Sequence, residues 1–146
     1  MRPMRTVLVV AALSLWGTAH AGLYSDDLSR CLVEKTTKED RVALVRWMFA
    51  AASSHPAVAS LSKVTPEQLD SANKSLAELF TRLMTESCHE QAKKALQYEG
   101  MATIQTSFAV LGQVAGSELF ASPEVKQSMG GLDKYIDKKK LEELKN

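Results

Sequence analysis

The densest run of groups able to do chemistry is Glu86-Ser87-Cys88-His89-Glu90. Glu86 and His89 stand three residues apart, the helical spacing with which carboxylate-bridged di-iron bundles present a glutamate and a histidine to one metal pair. Such a centre needs that motif twice, plus two further acids. The only other histidine past the N-terminal leader, His55, has Ala52 where the glutamate should be. The run therefore reads as a polar turn beside a cysteine. Cys31, Cys88, His55 and His89 add up to a zinc donor set of two sulfurs and two nitrogens. They lack the close paired spacing of structural zinc sites, and neighbours such as Cys88 and His89 point about 100° apart on a helix. No Cys-x-x-Cys-His run offers haem attachment, and no Gly-x-Ser-x-Gly elbow offers an activated serine. No catalytic residue, metal or cofactor is assigned, and an enzymatic reading would have to take its base from His55 or His89.

Binding chemistry has better candidates. Arg41, Arg46, Asn73 and Glu118 interrupt otherwise apolar surroundings. Arg46 beside Trp47 is the sharpest pair, a cation and an aromatic ring suited to a carboxylate or phosphate in a cleft between helices. The plainer expectation is an ion pair from Arg46 to Glu118 or Glu78 across the bundle, because charges near a core are normally paired. Ala109, Gly112 and Gly116 form a stripe of small residues. Glycine costs about 1 kcal/mol against alanine inside a helix, so this stripe is expected where another backbone comes close. That backbone belongs either to the same core or to a second copy in a homodimer.

Helices must position all of these groups. Glycine and proline sit at boundaries, while Ala, Leu, Lys, Glu and Gln fill the stretches between, and no strand pattern competes. A first helix is expected from about Tyr24 to Glu34, with Leu28, Cys31 and Leu32 on one face. A second runs from Lys38 to about Ser53 behind a Thr36/Glu39 capping box. It is so apolar, with Val42 to Val45 and Trp47 to Ala52, that it is expected at the centre of the core. Thr65-Pro66-Glu67-Gln68 starts a long third helix toward Gly100, with a kink expected near Cys88. A fourth, about Met101 to Phe120, carries Met101, Ile104, Phe108, Leu111, Ala115 and Leu119 on a stripe. Ser122-Pro123 starts a short helix, and Leu132, Tyr135 and Ile136 are expected to dock a helical tail whose Lys138-Lys139-Lys140 face stays wet.

The N-terminus sets the compartment. Met1-Arg2-Pro3-Met4-Arg5 is basic, an apolar run follows from Val7 to Trp16, and Thr18-Ala19-His20-Ala21 puts small residues where a signal peptidase needs them. Residues 1–21 are thus expected to be a cleavable signal peptide and residues 22–146 the mature domain. The apolar run of about ten residues is short of the roughly twenty that span a bilayer, so no stable membrane anchor is expected after cleavage. Cys31, preceded by Arg30 and well past the apolar run, does not fit a lipoprotein signal. In an oxidising compartment, periplasmic or extracellular, the chain's two cysteines should pair as Cys31–Cys88.

With Arg2 and Arg5 removed, 16 basic residues face 17 acidic ones, a balance that steers the chain to neither nucleic acid nor anionic lipid. About 125 residues hold one core and not two. The expectation is a single all-α bundle of four to six helices, exported and non-enzymatic. It would bind a protein partner through a helix face, as an inhibitor, an immunity factor or an assembly accessory. The alternative is a small-ligand binder with a cleft near Arg46 and Trp47.

Overall fold

A computed structural model describes residues 22–145, and the expected signal peptide lies outside them. Helix α1 (Leu23–Lys35) owes its start to a distant residue. The Glu99 carboxylate accepts the Tyr24 and Ser25 backbone N–H groups at 2.9 Å each, satisfying two donors that a helix cannot pair internally. Its inward face is Ser25, Leu28, Ser29, Cys31 and Leu32, all buried. Thr36 ends the helix rather than starting the next one, because its hydroxyl donates back to the Val33 carbonyl at 3.0 Å. The capping box of α2 (Lys38–Ala52) is consequently Thr37 with Asp40, one residue on from the expected Thr36 and Glu39.

A single turn, α3 (Pro56–Ala59), follows, and then α4 (Pro66–Arg82) opens as expected, with Thr65 and Gln68 capping each other and Pro66 in the first turn. The expected kink is a π-helical turn, Leu83–Ser87, where the Cys88 N–H reaches five residues back to the Leu83 carbonyl at 2.8 Å. The extra residue in this turn keeps both Leu83 and Cys88 fully buried before α5 (His89–Glu99) continues. Gly100 closes α5 at φ 82°, a left-handed conformation that favours glycine. Helices α6 (Ala102–Ala121), α7 (Pro123–Gly130) and α8 (Lys138–Glu142) complete the all-α fold.

The core joins α1, α2, the α4–α5 arm and α6 through Leu28, Leu32, Leu44, Leu79, Leu83 and Leu111, with Ala92, Ala95 and Ala115 between them. The Cys31–Cys88 disulfide lies inside it, with alpha carbons 5.9 Å apart, and ties α1 to the end of the π turn. Closing a loop of 57 residues removes unfolded-chain entropy equivalent to about 4 kcal/mol. Two expectations are corrected in the packing. Of the fourth-helix stripe Leu111 and Ala115 are buried and Ile104 and Phe108 pack against the core, but Met101 and Leu119 at its ends are exposed and Thr103 and Ser107 face inward as well. Hydroxyls fit there because the Ser107 and Ser29 Oγ atoms both donate to the Ser25 carbonyl, at 3.0 and 2.7 Å, and their small size lets α6 lie close on α1. The tail does not dock either: Leu132, Tyr135 and Ile136 are all exposed, since the segment after α7 packs on its own sequence neighbours rather than on the bundle.

Candidate functional site

Helix α2 is not the central helix its composition suggested. Leu44 alone joins the core cluster, with Val45, Trp47 and Met48 packed half-buried against it, while the buried Ala50 lies about 120° round the helix from Leu44 and outside that cluster. A helix rotates 100° per residue, so Val42, Arg46 and Phe49 lie on the side opposite Leu44, with Val45 at its margin and half-buried against the core. Val42 is 49% exposed and Phe49 62%. At the end of α6, Leu119 and Phe120 are likewise exposed, at 39% and 57%.

Polar ties hold α2 in this orientation. The Arg82 guanidinium donates to Asp40 Oδ2 at 2.7 Å, and Trp47 Nε1 donates to Asn73 Oδ1 at 2.9 Å, both linking α2 to α4. On the other flank Arg41 Nε donates to Glu118 Oε2 at 2.8 Å while its Nη1 donates to the Thr36 carbonyl at 2.8 Å, linking α2 to α6. Glu118 is thereby taken by Arg41 and not by Arg46. The reason is rotational: five residues along a helix is 500°, so Arg46 points about 140° away from Arg41. Burial works against ionisation of Asp40, but the Thr37 backbone N–H, the Arg82 guanidinium and the Thr37 hydroxyl outweigh it and hold the carboxyl below its ordinary value.

Between these ties lies an open groove of about 690 Å³. Arg46, Phe49 and Ala50 of α2 line it, with Val64 from the preceding loop, Glu67, Gln68 and Ala72 of α4, and Leu119 of α6. Its surface is mostly carbon. Arg46 forms no ion pair among the described residues. Glu67 is held below its ordinary carboxyl value by its own backbone N–H and by the Thr65 hydroxyl, so its carboxylate is charged at neutral pH.

No protein-family model, curated protein or solved structure matches this chain.

Of the residues singled out in the sequence, Arg46 lines the groove, whereas Trp47 is turned to Asn73 and Glu118 to Arg41. His55 caps α3, its Nδ1 accepting the Ala57 N–H at 3.1 Å. His89 lies on the exposed surface against Glu90, 3.0 Å away. Neither histidine lines the groove, and no cluster of three or more metal-ligating side chains occurs among the described residues. On α6, Ala109 is exposed, and a Cβ built on Gly112 or Gly116 meets nothing within 4 Å. The close backbone expected at this stripe is not one from this fold. Reasoning from sequence missed Phe49 and Val42 as exposed groups. The available signal was that α2 carries apolar residues on more of its circumference than one buried face requires.

Proposed function

We propose that this protein is an exported, non-enzymatic interaction protein that takes an apolar, acid-bearing segment of a partner protein across the outer face of α2. The observation that carries the reading is the exposed pair Val42 and Phe49, two helical turns apart on α2 and left to solvent beside an apolar groove with Arg46 in it. Apolar side chains repeating at helical spacing and surrounded by polar residues mark surfaces that other chains cover. Aromatic and arginine side chains supply most of the energy of such contacts, here Phe49 for area and Arg46 for a partner carboxylate. Export is supported by the basic, apolar and small-residue order of residues 1–21 and by the Cys31–Cys88 disulfide, a bond that persists in oxidising compartments.

The test is site-specific photo-cross-linking in the exporting cell. A photoreactive residue at Phe49 is expected to give a discrete adduct that is lost with Arg46→Glu, while the same residue at Lys93, on the exposed surface of α5, gives none. Equal labelling from both positions contradicts the proposal.

A second reading, a small-ligand site, is favoured by one observation, the groove volume of about 690 Å³, which lies in the range of ligand pockets. Ligand sites enclose most of their ligand, whereas Phe49 and Leu119 stand open to water here. A small anion that raised the melting temperature of the wild type but not of Arg46→Gln would favour this second reading.

A further inference from the structure

We propose that Glu99 is the receptor for the α-ammonium group that signal cleavage releases at Gly22, so that maturation locks the start of α1 onto the end of α5. This inference rests on the export reading above. Cleavage by an endopeptidase adds water across the Ala21–Gly22 bond. The hydroxyl goes to the Ala21 carboxyl, a hydrogen goes to the Gly22 nitrogen, and the free amine takes up a further proton below its pKa.

Gly22 is the N-cap of α1, and its carbonyl accepts the Asp26 N–H at 2.9 Å. A Cβ built on Gly22 would overlap the Glu99 carboxylate carbon and both of its oxygens, whereas the other described glycines have open space at that position. A Cβ lies about 2.5 Å from its own backbone nitrogen, so the Gly22 nitrogen is within about 5 Å of both carboxylate oxygens. Glu99 is already fixed there by the Tyr24 and Ser25 N–H groups, with the Thr103 hydroxyl at 3.4 Å from Oε2. The Tyr24 and Tyr98 rings stack beside it with centroids 4.8 Å apart. One carboxylate thus faces the positive end of a helix and the atom that becomes cationic on processing. While residues 1–21 are attached, that atom is a neutral amide nitrogen.

The attraction favours the charged amine in the folded state. Its stabilisation is complete below the unfolded amine's pKa of about 7.7–8.0 and is lost as pH rises through the higher folded value.

The full chain is expressed with export, and the N-terminus of the purified product is read by mass spectrometry. A product beginning elsewhere than at Gly22 overturns the processing site and the inference together. With Gly22 confirmed, transamination by pyridoxal phosphate replaces its ammonium with an aldehyde and leaves the lysines unchanged. The melting temperature at pH 6 is expected to fall by about 2–4 °C, and the fall is expected to vanish in Glu99→Gln. An unchanged melting temperature, or the same fall in both backgrounds, overturns the ammonium contact while leaving export intact. Should Glu99→Gln fail to fold, the wild type alone decides. The NMR titration midpoint of Gly22 must lie above that of the peptide Gly-Leu-Tyr-Ser-Asp, and equal midpoints overturn the inference.

Discussion

Single side chains in this protein are tied to partners far along the chain, and these ties have signs that can be measured. Asp40 is ionised more readily when folded than when unfolded, because the Thr37 N–H, the Arg82 guanidinium and the Thr37 hydroxyl together exceed the cost of its burial. Its contribution to stability is therefore present above the unfolded carboxyl pKa of about 3.9 and is lost as pH falls through the lower folded value. Asp40→Asn is expected to lower the melting temperature at pH 7 and to converge on the wild type at acid pH below that folded value. A thermal melt series from pH 2 to 7 checks it, and a gap that widens on acidification would be the wrong sign. Thr37→Ala, which removes the other half of the capping box, is expected to cost about 1 kcal/mol by denaturant unfolding. Thr36→Ala tests the corrected register differently, since its buried hydroxyl ends α1 and meets Arg41 rather than capping α2. The Thr65 and Gln68 box was legible in the sequence because a proline fixes its register. The Thr37 box was not, because two adjacent threonines are followed by two adjacent acids and local pattern alone does not choose between them.

At the scale of elements, α2 offers the sharpest contrast. Leu44→Ala empties a core position and is expected to cost about 2–5 kcal/mol, whereas Phe49→Ser on the opposite side should change stability by less than about 0.5 kcal/mol. Urea unfolding of both variants settles which face supports the fold, and a large loss at Phe49 would place that ring in the core. A kink near Cys88 was within the reading of the sequence, but its form was not. A π turn keeps Leu83 and Cys88 on the buried side by inserting one residue, and a sequence has no mark for that insertion. Inserting an alanine after Glu86 is expected to rotate Cys88 about 100° relative to α4, whereas deleting Glu86 leaves it four residues after Leu83, one ordinary turn, on the same side. With the insertion the cysteines should titrate as free thiols after export, while the intact chain shows none. On α6, Gly112→Ala and Gly116→Ala have room for the added methyl and should each stabilise an isolated chain by about 0.5–1 kcal/mol. The Glu99 cap of α1 was invisible to local reasoning for a simple reason, the sequence separation of 75 between Glu99 and Tyr24.

For the whole molecule, the all-α class, the number of major helices and the disulfide followed from composition, helical periodicity and a cysteine count of two. The assignment of surfaces did not. Periodicity identifies apolar faces, yet it does not say which of them the chain itself will cover, and here α2 has more apolar circumference than its neighbours occupy. The part of the candidate site legible beforehand was Arg46. Phe49, Val42 and the groove wall from α4 emerge only once α2 is oriented by its ties through Asp40, Trp47 and Arg41. The central claim is that the outer face of α2 is covered by another protein where this chain works. Hydroxyl-radical footprinting, applied to the exporting cells and to the purified protein, measures that cover directly. Phe49 is expected to be oxidised at least about fivefold more slowly in the cells than in the purified protein, with Tyr135 in the tail as the reference whose rate is unchanged, in keeping with the exclusion of water at contact centres. Equal oxidation of Phe49 in both settings would contradict the account.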